Sequence, residues 1–85
     1  MEHVIAERVF AEPVSLEAVD QALRNNESCL NANRVRHLRS CVSLDGLRMI
    51  CEYEAPDAET VRRISQQLGV PYERVWTARI YTRDG

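Results

Sequence analysis

Residues 34–54 read Arg-Val-Arg-His-Leu-Arg-Ser-Cys-Val-Ser-Leu-Asp-Gly-Leu-Arg-Met-Ile-Cys-Glu-Tyr-Glu, and this stretch decides the fold. Two runs rich in β-formers flank Asp45-Gly46. That pair is the strongest short signal for a two-residue hairpin, because a type I′ turn needs φ > 0 at both central positions. Such a turn fixes the register: Leu44 faces Leu47, Val42 faces Met49, Ser40 faces Cys51, and Leu38 faces Tyr53. Side chains alternate across a strand, so these eight share one mostly apolar side. The other side carries Ser43 with Arg48, Cys41 with Ile50, Arg39 with Glu52, and His37 with Glu54. The last two are charge-compatible cross-strand pairs. The hairpin therefore separates a core from a candidate polar site.

Upstream, His3–Phe10 reads as a strand with β-branched or aromatic ends. Its facing divides Val4, Ala6, Arg8 and Phe10 from Ile5, Glu7 and Val9. Glu7 is assigned to the polar face, because the long stem of Arg8 lets its charge snorkel from the other. Ser15 is a good N-cap and Glu17 suits a helix N-terminus. Leu16, Val19, Leu23 and Leu30 recur at helical spacing, predicting a helix from Leu16 to about Cys29–Leu30, weakened at Asn25-Asn26 and ended by Asn31-Ala32-Asn33. Downstream, Pro56 breaks the ladder and Asp57 caps a helix over Ala58–Leu68 with the stripe Val61, Ile64, Leu68. Gly69 and Pro71 stop it. Arg74–Thr82 alternates as a final strand, with Trp76, Ala78 and Ile80 toward the core and Val75, Thr77, Arg79 and Tyr81 toward the open side. The order β-α-β-β-α-β is the split-βαβ, ferredoxin-like α+β pattern. Right-handed crossovers place both helices on one face of a four-stranded antiparallel sheet. The uncovered face is where a second copy or a ligand is expected.

Eighty-five residues make one domain with a modest core, a size often helped by pairing into a homodimer. The net charge of −2, with arginines interspersed among Asp and Glu, points away from nucleic acid. No apolar run approaches the roughly 18 residues that read as a membrane span. The start Met1-Glu2-His3-Val4 lacks the basic and apolar regions of a signal peptide, so a cytoplasmic location is expected. Cys29, Cys41 and Cys51 form no CxxC and are expected as free thiols.

Four further patterns stand in the chain: Glu7-Arg8-x-Phe10, Ser40-x-Val42-x-x-Asp45, Cys51-x-Tyr53-x-Ala55-Pro56-Asp57 followed by Arg62, and Gly69-x-Pro71-x-x-x-Val75. Together they resemble a family of small bacterial ferredoxin-like proteins, catalogued mostly as a domain of unknown function, with a nickel-binding protein among its members. The segment from Cys51 to Asp57 is the most specific part. The resemblance implies a subunit that dimerises through sheet surfaces, and it implies nickel or another divalent transition metal as a cofactor.

Read from the residues alone, the candidate metal ligands are His37, Cys41, Glu52 and Glu54. His37 and Cys41 lie four residues apart on a strand, roughly 13 Å by the strand rise, too far for one ion. His37 with Glu54 makes a two-ligand start, to be completed by His3 or a second subunit. The alternative is a partly solvated cross-strand pair. The open face is expected to gather Glu7, His37, Arg39, Glu52, Arg79 and Tyr81. Enclosed by a second copy, it forms the cavity of a small cofactorless enzyme of the dimeric α+β barrel kind (isomerase, cyclase or monooxygenase-like), with His37 or Glu52 as base and Arg39 or Arg79 holding an anion. The same residues also suit a structural or partner-binding interface. Cys51 is expected to be an inert core thiol with no basic neighbour on its face, and Cys41 the more accessible one. Trp76 and Tyr53 are expected in the core. Phosphate-loop, GxSxG, HExxH and paired CxxC motifs do not occur.

Overall fold

A computed structural model describes residues Met1–Asp84. The order is β1 (Glu2–Val9), α1 (Leu16–Asn25), α2 (Glu27–Ala32), β2 (Arg36–Val42), β3 (Arg48–Ala55), α3 (Ala58–Leu68) and β4 (Arg74–Ala78). The strands form one antiparallel sheet in the order β2-β3-β1-β4. This is the ferredoxin-like arrangement that the element order predicts.

The helices start where the sequence places their caps. The Ser15 side chain accepts from the Ala18 N–H at 3.1 Å, and Asp57 accepts from the Thr60 N–H at 2.8 Å. The single first helix predicted to Cys29–Leu30 is two, because Asn26 turns its side-chain amide back onto the Ala22 carbonyl and breaks the run. α3 spans its predicted range and ends at Gly69 with φ +69°. The Val70 N–H closes back on the Ser65 carbonyl there. The same closure ends α2, where the Val35 N–H reaches the Leu30 carbonyl, but the left-handed position is Arg34, φ +58°.

The hairpin keeps its expected register at Val42–Met49, Cys41–Ile50, Ser40–Cys51 and Arg39–Glu52. Its turn differs from the expected one. Ser43 N–H bonds to Arg48 O, so Leu44–Leu47 form a four-residue loop, in which Gly46 alone has positive φ (+76°). The Asp45 carboxylate stabilises the loop by accepting from the Leu47 N–H at 3.0 Å and the Ser43 hydroxyl at 2.6 Å. Leu44, expected in the core, is fully exposed on the loop.

At its far end the hairpin departs from expectation. A bulge between His37 and Arg39 inserts one extra residue, Leu38, so His37 opposes Tyr53 and Arg36 opposes Glu54. The predicted pairs Leu38–Tyr53 and His37–Glu54 are therefore not formed. His37 turns to the helix-covered face, its ring edge-on to Tyr53 at 5.6 Å and its Nε2 2.8 Å from the Ser40 hydroxyl.

β4 is also corrected. It ends at Ala78, and its facing is the reverse of that expected: Val75 is buried in the core, whereas Trp76 is 44% exposed on the open face. Val75 pairs with core-facing Ala6, and Trp76 with Ile5, so the register with β1 decides the facing.

The core comprises Val4, Ala6, Val35, Met49, Cys51, Tyr53, Ala55, Val61, Ile64 and Val75. Neither α1 nor α2 buries any residue. Their apolar stripe, including Val19, Leu23 and Leu30, overhangs a cavity of about 150 Å³ against α3 and the sheet.

The glycines should separate by surroundings. A Cβ on Gly46 would meet the Val14 carbonyl oxygen at 2.9 Å, whereas one on Gly69 meets nothing within 4 Å. Gly46→Ala should cost roughly 2–3 kcal/mol, and Gly69→Ala only the left-handed strain of about 1 kcal/mol. Arg34→Gly should stabilise by about 1 kcal/mol by removing that strain. Guanidinium unfolding midpoints at constant slope measure all three.

Candidate functional site

The open sheet face is built by β1 residues His3, Ile5, Glu7 and Val9 alternating against β3 residues Arg48, Ile50, Glu52 and Glu54. Glu52 is at its centre. One carboxylate oxygen lies 3.0 Å from His3 Nε2, and the other accepts from Arg39 Nε at 2.6 Å. The Arg39 hydrogen bond is the largest influence holding the Glu52 carboxyl below the usual carboxylate range; partial desolvation opposes it, and the His3 contact adds to it. The side chains of Glu52 and His3 are 13% and 20% exposed, whereas that of Arg39 is 73% exposed. Arg39 is therefore the solvent-facing member of the cluster.

Around this cluster the face mixes apolar side chains with paired charges. Ile5 is buried, and Ile50, Trp76 and Val9 are partly exposed. Glu7 accepts from the Trp76 indole N–H at 2.7 Å and lies 3.7 Å from Arg74. Arg36 pairs with Glu54 at 2.6 Å. Cys41 is exposed on the same face, opposite Ile50.

The structure thus joins Arg39 to Glu52 and places Glu7 and Cys41 on the expected face. It separates His37 from Glu54 through the bulge. Arg79 and Tyr81 lie beyond the end of β4, exposed and outside the cluster. His3 is the residue that sequence reasoning underused. It shares the parity of Glu7, so assigning Glu7 to the open face assigns His3 there as well; only the β1–β3 register was missing.

The opposite face has a polar centre of its own. Arg8, 4% exposed, donates to the Tyr53 hydroxyl at 3.0 Å, the Pro71 carbonyl at 3.0 Å and the Ser65 hydroxyl at 3.3 Å. It does not snorkel to water, and it gives Cys51 the basic neighbour on its face that the sequence did not suggest. Burial pushes the Tyr53 phenol up to about 12, with the Arg8 charge acting against the rise. Burial, and then the same positive charge, pushes the His37 imidazole below its ordinary value.

Among the described residues no group of three or more His, Cys, Asp and Glu side chains could hold a metal ion. His3 and Glu52 provide two adjacent donors, one nitrogen and one oxygen. One copy therefore offers half a donor set. No helix among the described residues is long and apolar enough to cross a membrane.

The sheet order and helix placement define a ferredoxin-like α+β domain. Its backbone is similar to the crystal structure of SCO4226 from Streptomyces coelicolor A3(2), with a TM-score of 0.81 and 15% identity over 94% of this chain and 99% of that one. Residues 4–77 match the family described as nickel responsive protein SCO4226-like, and the chain belongs to that family. No curated protein matches it.

The His37 environment makes a pH prediction. Its folded-state pKa lies below the unfolded value near 6.5, so the unfolded chain binds the proton more readily. Stability from this group is fully present above about pH 6.5 and is lost as pH falls through the depressed folded value. His37→Gln should flatten the stability–pH slope below about pH 6.5 in urea melts, while His3→Gln should leave the His37 component in place.

Proposed function

We propose that the protein is a nickel-binding homodimer in which two open sheet faces meet and the His3–Glu52 pair of each copy supplies the metal donors. The observation that carries this reading is the imidazole–carboxylate contact of 3.0 Å on the face that also carries Ile5, Ile50 and Trp76. Two such pairs make a set of two nitrogens and two oxygens, a type suited to Ni(II). Ile50, Trp76 and Val9 give the face apolar area to bury against a partner. Family membership supports the choice of metal. Arg39 must swing from Glu52 when a cation binds, and its exposure permits this. A nickel ion held by His3 and Glu52 of each copy would supply a Lewis-acid link between them, and the two Glu52 carboxylates would neutralise its charge.

The earlier metal pair, His37 with Glu54, gives way to His3 with Glu52, because His37 faces the helices. A cofactorless enzyme reading is weaker. His37 is absent from the open face, and a carboxylate held as ionised as Glu52 is a poor proton acceptor near neutrality.

Calorimetric nickel titration with light scattering tests the proposal. Nickel should bind at one ion per two chains, stabilise the dimer and change Trp76 emission. His3→Ala and Glu52→Gln should each weaken binding by at least about tenfold, a loss of about 1.4 kcal/mol, while His37→Ala should not. Unchanged affinity in His3→Ala would sink the assignment.

A further inference from the structure

On the opposite side of the sheet, the cavity of about 150 Å³ beneath α1 has an apolar wall formed by Val19, Ala22, Leu30, Val61, Ile64 and Met49. Arg8, Tyr53 and Ser65 line the same cavity, so its polar end is the buried guanidinium and two of its partners. All three acceptors of Arg8 are neutral, and among the described residues Arg8 makes no ion pair. Every carboxylate that the structure pairs with an arginine lies outside this cavity, whose lining holds no Asp or Glu. A permanently charged group placed 96% out of water normally has a counter-charge. The bonds from both Nη atoms to Ser65 are long, 3.3 Å each, and shared on one oxygen. A carboxylate would replace them with two parallel, shorter bonds.

We propose that this cavity is a binding site for a small apolar carboxylic acid, whose carboxylate pairs with Arg8 and whose hydrocarbon part fills the space under α1. An apolar void of the same size accommodates benzene, so the hydrocarbon part of the fitting acid is about one aromatic ring or a branched group of similar size, with the carboxylate at the Arg8 end. The overhanging helix supports this reading. α1 is capped and amphipathic, and its Val19 packs on the core, yet none of its residues is fully buried, which leaves room for a ligand beneath it. The site lies across the sheet from His3 and Glu52, so it stands or falls independently of the nickel proposal.

Phenylacetate is the probe, and its uncharged amide the control. In two-dimensional NMR of the full chain, phenylacetate should saturably shift the Arg8 Nε–H and the α1 amides, and phenylacetamide should bind at least about tenfold more weakly, the cost of leaving a charged hydrogen-bonding group without its partner. Ala22→Phe, which adds bulk to the cavity wall from α1 and leaves Arg8 itself unchanged, should abolish the shifts in a folded protein. Arg8→Met, if folded, should bind acid and amide equally. Equal binding of acid and amide to the native chain, retention of binding in Ala22→Phe, or no saturable shift with the acid would each overturn the proposal. A nickel response on Trp76 that persists in Ala22→Phe would separate this outcome from failure of the open-face site.

Discussion

The fold depends on one buried cation. Moving a guanidinium out of water is unfavourable by several kcal/mol unless its N–H groups find acceptors. Arg8 finds them on three other parts of the chain: Tyr53 on β3, Ser65 on α3, and the Pro71 carbonyl in the segment returning to β4. These bonds tie β1 to the elements that surround it. They also fix the parity of β1. With Arg8 beneath the helices, Val4 and Ala6 must join the core and His3, Ile5 and Glu7 must face out. The composition of the open face follows from that single choice.

Local signals in the sequence were sufficient where the physics is local. Ser15, Asp57 and Gly69 each act through bonds within a few residues, so both helix starts and the end of α3 were legible. The Arg39–Glu52 pairing was legible too, even though the turn type was not. A four-residue loop and a two-residue loop centred on the same Asp45-Gly46 give the same register sum, so the ladder near the turn was unaffected. Beyond it, Leu38 looks like one more alternating apolar residue. Its insertion as a bulge is settled by what each alternative buries. In register His37 would pair with Glu54; in the observed arrangement Arg36 takes Glu54, and His37 packs on Tyr53 and Ser40. That comparison needs the tertiary environment.

The β4 reversal has the same origin. Val75 and Trp76 are both good strand residues, and alternation alone cannot say which faces inward. A large aromatic suggests the core, yet β4 is an edge strand whose neighbour β1 carries Ala6 and Val4 on the helix side, where Val75 fits. Trp76 instead takes the open side, where Glu7 satisfies its N–H. Arg79 and Tyr81 were drawn into the candidate site by extending that wrongly phased strand past its end.

The two sides of the sheet have opposite electrostatic needs. The open side gathers Glu7, Glu52 and Glu54, with His3 beside the most protected of them and with solvent-exposed arginines paired to all three. The helix side holds a cation that cannot leave, surrounded by neutral acceptors, next to an apolar space that α1 covers without filling. A guest in that space would pack against the underside of α1 and give Arg8 a charged partner in place of neutral ones. Because alternate residues of one strand point to opposite sides, Arg8 and its neighbour Glu7 meet different partners: Tyr53, Ser65 and Pro71 beneath the helices, Trp76 and Arg74 on the open side.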